Sequence, residues 1–216
     1  AAVKPMGYAR TLADALDRSQ EVLSLAAKLG EDLPTNHDKS ITATLLHSLG
    51  RLNAGGLRLL QLAAVLATAP IPLDLLTRAW GDDGAAVLAL DNAFRESLVD
   101  RPDGDVFVHA LVSRVVPLLA PPPDELRAAA VRVLNEEMPA VQDIRTHAAL
   151  ADWLPHAEAL TAEAKDAATL TLLSWLCGHA YVRGNYAAAA ALGRRCWDGR
   201  CRVLGAEHLD TLTAMN

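Results

Sequence analysis

Ser97-Leu98-Val99-Asp100-Arg101-Pro102-Asp103-Gly104-Asp105-Val106-Phe107-Val108-His109 is the stretch on which the fold turns. Two short apolar runs, 97–100 and 106–109, have strand character and enclose Arg101-Pro102-Asp103-Gly104-Asp105. Proline in the second place and glycine in the fourth is the chemistry of a type I turn. The stretch therefore predicts a two-stranded hairpin, and elsewhere the apolar residues recur at helical spacing.

Upstream of the hairpin the reading is helical. Leu12, Leu16, Leu23 and Ala26 share one face, which predicts a helix over 8–29 that Gly30 ends. Ser40 is placed to cap a helix with Ile41, Leu45, Leu49 and Leu52 on its apolar face. Asn53-Ala54-Gly55-Gly56 is expected to break that helix. The next helix, 57–67, is apolar nearly all round and so central. Pro70-Ile71-Pro72 reads as a stiff connector, with Pro72 in the first turn of a helix over 73–80. Gly81-Asp82-Asp83-Gly84 reads as a turn and 85–95 as a further helix. Helices followed by a two-stranded hairpin is the order of elements in a winged helix.

Downstream, Val112, Val115 and Val116 predict a helix over 111–119 that Pro117 should kink or shorten. Pro121-Pro122-Pro123 is the sharpest boundary signal in the chain. Asp124 is expected to cap a helix carrying Leu126, Ala130, Val133 and Leu134, which Met138-Pro139 ends. A helix over 153–164 follows, with Pro155 in its first turn. Two long helices, 167–183 and 186–204, are joined at Gly184-Asn185, and so short a link forces them antiparallel. Such helical hairpins stack into solenoids.

Composition agrees with helix on helix. Apolar residues make up 51% of the 216, aromatics only 4%, which argues against a sandwich or barrel. A net charge of −6 gives an overall field that does not attract nucleic acid or an anionic membrane. No apolar run is long enough to span a bilayer. Cys177, Cys196 and Cys201 form no CxxC pair, and free thiols buried in a reducing cytoplasm are the expectation.

Catalytic parts are missing. There is no GxxxxGK[ST] phosphate cradle and no GxSxG elbow. His147, His156, His179 and His208 are scattered, with no HExxH or paired spacing to suggest a metal. The chain is therefore not expected to be an enzyme. One basic stretch, Arg194-Arg195 with Arg200 and Arg202, shares a helix with Trp197. A solvated face is its ordinary reading, and Arg194, Trp197 and Arg200 are the candidates for partner contact.

Two places carry a family resemblance. Phe107-Val108-His109-Ala110-Leu111-Val112-Ser113-Arg114-Val115-Val116 resembles the end of the winged-helix domain in bacterial signalling ATPases of the NB-ARC (STAND) class. Ser40-Ile41-Thr42-Ala43-Thr44-Leu45-Leu46-His47-Ser48-Leu49 and Pro70-Ile71-Pro72-Leu73-Asp74-Leu75-Leu76 also resemble that family. Gly184-Asn185-Tyr186, Ala189 and Leu204-Gly205-Ala206-Glu207-His208-Leu209-Asp210-Thr211-Leu212 are similar to tetratricopeptide repeats of kinesin-light-chain type. Leu209 stands where that pattern usually has proline.

The resemblance implies a mainly α chain in three parts. Residues 1–34 would be the helical tail of a preceding domain, 35–119 a winged helix with a small β-wing, and 120–216 a tetratricopeptide-type region cut from a longer protein. It also implies a role for His109, contact with the β-phosphate of ADP on a neighbouring nucleotide domain, which would hold a closed resting state. ADP or ATP with Mg would belong to the parent protein, and a protein or peptide partner to the repeats, in the cytoplasm. Two rivals are a repeat scaffold with the winged helix as end cap, and a transcription regulator reading DNA with 85–95. The second has little to work with, since Asp91, Asn92, Arg95 and Glu96 offer one base among acids and the wing is acidic.

Overall fold

A computed structural model describes residues 45–101 and 104–213. The expected helix over 8–29, the Ser40 cap and the middle of the 101–105 turn lie outside them. Among the described residues, 45–51 belong to one compact unit and those from 52 onward to another. In the first, residues 45–50 are helical, with Leu46 and Leu49 buried.

The second unit is mainly α, with one small antiparallel sheet. It opens with α1 (Ala54–Ala64), α2 (Leu73–Trp80) and α3 (Asp83–Arg95). The sheet follows as β1 (Val99–Asp100) and β2 (Phe107–Val108), and then α4 (Ala110–Leu119). Beyond Pro121-Pro122-Pro123 come α5 (Asp124–Glu137), 3-10 turns over Met138–Gln142 and Ile144–Thr146, and α6 (Leu154–Thr161). The chain continues through α7 (Ala167–Val182), α8 (Tyr186–Val203) and α9 (Leu209–Thr213).

Helix starts are where the sequence reading needs correction. Ala54, Gly55 and Gly56 do not break a helix; they are the first turn of α1. Asn53 is its cap, and the Asn53 side chain accepts from the Gly56 amide at 2.8 Å. Gly56 also lies so close to Asn92 that a Cβ there would strike its side-chain oxygen. Asp82 caps α3 in the same manner, accepting from the Ala85 amide at 3.0 Å, so Asp83 and Gly84 belong to the helix. Pro72 and Pro123 stand at the cap positions of α2 and α5, one residue before the first turn. Asp124 is thus inside α5, where its charge still favours the helix N-terminus. Pro117 does not stop α4, which runs two residues beyond it. A proline near a C-terminus removes only one intrahelical bond.

The hairpin is present but shorter than expected. Val99 pairs with Val108 and Asp100 with Phe107. Val106 instead forms an antiparallel bridge with Ile71, each amide donating to the other's carbonyl at 2.8 and 2.9 Å. Pro70-Ile71-Pro72 is therefore more than a connector: it puts a third segment beside the hairpin. Leu59, Leu60 and Leu62 of α1, Leu75 and Leu76 of α2, and Leu90 of α3 are buried to within 2% exposure, which makes α1 central as its sequence predicts.

Packing continues across the three prolines. Gln61 donates to the Ala120 and Pro121 carbonyls at 3.1 and 3.2 Å. Arg78 of α2 reaches Glu136 at 2.9 Å and Glu137, both on α5, and Asp74 on its own helix at 2.9 Å. α7 and α8 form the antiparallel pair. Gly184, at φ +75°, makes the left-handed step that ends α7, and Asn185 caps α8 by accepting from the Ala188 amide at 3.2 Å. Leu170, Leu173 and Cys196 close the core between them.

Candidate functional site

His109 ends the second strand-like run and caps α4. Its Nδ1 accepts from the Leu111 amide at 3.2 Å. With Nδ1 accepting, the ring's N–H is on Nε2, which makes no hydrogen bond among the described residues. The residue is exposed. An outward N–H donor at a helix N-terminus is chemistry that suits an anion, since amide donors and the helix dipole act in the same direction.

The three candidate partner residues on α8 do not behave alike. Arg194 is exposed, and Trp197 keeps 39% of its surface open. Arg200 is occupied: its guanidinium donates to the Asp210 carbonyl at 2.7 Å and ties α8 to α9. Arg195, on another side of α8, donates to the Thr161 and Ala162 carbonyls at the end of α6 at 3.0 and 3.2 Å. On α3, Asp91 pairs with Arg101 at 3.6 Å, and Asn92 accepts from the Asn53 amide at 3.0 Å.

Two grooves flank α6 and α7. The larger, about 1060 Å³, runs along α5 to the start of α7, and its bases are internally engaged. Arg132 pairs with Glu136 at 3.0 Å, Lys165 with Glu163 at 2.7 Å, and Arg127 donates to the Leu160 carbonyl at 2.5 Å. The smaller groove, about 630 Å³, lies between α6, α7 and α8 and holds His179, Arg183, Asn185 and Arg195. His179 packs against His147 at 4.5 Å between ring centroids, and its Nε2 is buried without a partner. Burial first, then the neighbouring His147 and Arg183, hold the His179 pKa below the usual histidine range.

Sequence reasoning gave His156 only a packing role at a helix start. It is fully buried on α6 and joins two distant parts of the chain. Nδ1 accepts from the Ala67 amide at 3.2 Å, and Nε2 donates to the Pro70 carbonyl at 2.9 Å. Desolvation lowers its pKa, against smaller opposing effects of the Pro70 bond and of Asp152 and Asp105. The cysteines are free thiols, but only Cys196 is buried; Cys177 and Cys201 are partly open.

A repeat signal is also present. Thr169-Leu170-Thr171 returns 42 positions later as Thr211-Leu212-Thr213. Thr169 and Thr211 are both buried near the start of a helix. Among the described residues no group of three or more acidic, histidine or cysteine side chains could hold a metal. No helix among them is long and apolar enough to cross a membrane. No family model, curated protein or solved structure matches the chain.

Proposed function

We propose that the chain is the winged-helix and tetratricopeptide-repeat portion of a nucleotide-switched signalling protein of the NB-ARC (STAND) class. In this reading His109 closes on the β-phosphate of ADP held by a neighbouring domain, and the helices after Pro123 receive a protein or peptide partner. The chain itself carries no catalytic step; any nucleotide hydrolysis belongs to the parent protein.

The observation that carries the reading is the setting of His109. Its Nδ1 is engaged by the Leu111 amide, which fixes the ring and leaves the Nε2–H pointing away from that bond at the head of α4. A phosphate there gains one directed donor together with the favourable end of a helix dipole. The order of elements supports the winged-helix assignment: three helices, the bridge of Ile71 to Val106, the hairpin, and α4. The 42-residue return of Thr-Leu-Thr and the α7–α8 pair support the repeat assignment.

A switch also needs a mechanical link between partner site and latch. Arg78 and His156 supply one, each joining the part before the three prolines to the part after them. DNA reading by α3 is the weaker alternative, because Asp91 and Asn92 are already engaged within the fold. The test is the amount of ADP that co-purifies with the full-length protein, wild type against His109→Ala. Retention by the first and loss by the second supports the latch; equal retention makes His109 a capping residue only.

A further inference from the structure

Two histidines meet where the turn segment after α5 lies against α7. His147 closes the second 3-10 turn, and His179 stands in the last turn of α7. Their ring centroids are 4.5 Å apart, with the planes tilted by 51°. His147 donates its Nε2–H to the Val141 carbonyl at 2.7 Å, so that N–H is committed inside the turn. His179 Nε2 is buried with no partner. While neutral, the two rings pack as flat apolar surfaces. A proton on His179 adds a charge where no acceptor meets it, and a proton on each ring sets two cations face to face.

The acids around the pair are engaged elsewhere. On α7 itself, the charge that acts on His179 is Arg183. In the turn, Asp143 is close enough to feel His147, but Arg145 holds it at 2.6 Å. At the end of α5, Arg78 holds Glu136 and Glu137. On the groove side, α6 presents Glu158 and α8 presents Arg195, and neither is paired with His179 among the described residues. Burial and two positive neighbours therefore favour the neutral ring.

The turn segment is lightly fastened apart from this contact. Ile144 at its tip is 62% exposed. Its hydrogen bonds are internal: the Thr146 hydroxyl donates to the Ala140 carbonyl at 2.5 Å, and the Asp143, Thr146, His147 and Leu150 amides each bond a carbonyl a few residues back. Val141 and Leu150 are its buried apolar anchors. A piece with internal hydrogen bonds and few anchors can leave a helical body as a unit.

We propose that the His147–His179 contact is an acid-sensitive clasp: neutral, it holds segment 140–150 on α7, and doubly protonated it releases that segment while the helices stay folded. The clasp stands on this pair alone, independent of any nucleotide contact at His109. The direction follows from linkage. A ring that resists its proton in the contact accepts it once released, so acid favours release, and the bias fades as pH rises above the free histidine value of about 6.5.

The test is hydrogen–deuterium exchange of the whole 216-residue chain, read by mass spectrometry. Labelling is done at about pH 7.5 and about pH 5.5, with times scaled to the intrinsic amide rates. The Asp143, Thr146, His147 and Leu150 amides report on the segment. Their protection should fall by about tenfold or more at the lower pH, beyond any loss seen in α1. His179→Phe keeps a ring against His147 and breaks no Nε2 hydrogen bond, so it should fold and abolish the local loss. Arg183→Gln, at an exposed position, removes one of the two positive neighbours and should make the loss smaller. A segment that keeps its protection at the lower pH, or loses no more than α1, would overturn the proposal. So would a His179→Phe variant with the wild-type loss. Should that variant not fold, Arg183→Gln decides, and an undiminished loss there overturns the proposal.

Discussion

Replacing His156 by Phe tests whether one buried ring fastens α6 to the α1–α2 connector. The volume is nearly kept, so the change removes hydrogen bonds more than packing. Ala67 loses its acceptor and Pro70 its donor, at a residue with no exposed surface. Ala67 is half-buried and Pro70 exposed, so water can take up part of what is lost, and the variant should be less stable by about 1–2 kcal/mol. The pH dependence gives an independent arm. The folded-state pKa of His156 is lowered, so at pH above the unfolded value both states are neutral and stability is full. As pH falls below about 6.5 the unfolded chain takes up the proton and the folded chain resists it, so stability declines. The limit for one such group is about 1.4 kcal/mol per pH unit, and a loss of about 1 kcal/mol is expected between about pH 7.5 and 5.5. His179, also lowered, adds a smaller loss of the same sign. Urea unfolding at both pH values, on wild type and His156→Phe, measures both arms. A variant as stable as wild type, or one with the same pH slope, would refute the clamp.

Arg78→Met should cost about 1 kcal/mol at low salt, and less at about 0.5 M salt, because it leaves Asp74 and Glu137 without their cation and Glu136 with Arg132 alone. A chevron or urea series at two ionic strengths reads this directly. Gly199→Ala should destabilise by about 1–3 kcal/mol, since the added Cβ would strike Leu170 in the closed core between α7 and α8; thermal melting measures it. Thiol titration with a disulfide reagent should find Cys196 the slowest of the three, being buried with its thiol pKa pushed up by desolvation. Unfolding in urea should equalise the rates.

Local chemistry made much of this fold legible. Two short apolar runs around a Pro and Gly turn located the hairpin, the run 73–80 matched α2 at both ends, and Gly184-Asn185 marked the turn between α7 and α8. Boundaries failed where a polar residue was read as part of a turn instead of as a cap. Asn53 and Asp82 each bond an amide three residues on, which draws the following glycines into a helix. Long-range pairings were out of reach of periodicity. Ile71 and Val106 are separated by two helices and a strand, and nothing in Pro70-Ile71-Pro72 announces a bridge. The same holds for the groove beside α6 and α7. Arg194 and Arg195 are neighbours in sequence, yet only Arg195 lines the groove, because successive residues on a helix face about 100° apart. His156 looked like a packing residue because its partners, Ala67 and Pro70, lie more than 80 positions away. The Thr-Leu-Thr return at 42 positions was present in the sequence and would have strengthened the repeat assignment.

The central claim is the phosphate latch, and bound nucleotide tests it most directly. The full-length protein is purified under gentle conditions and its nucleotide content measured by chromatography after denaturation, for wild type, His109→Ala and His109→Gln. The account predicts close to one ADP per wild-type chain, little in the alanine variant, and partial retention in glutamine, whose amide can still donate. Equal ADP in all three, or none in the wild type, would contradict it.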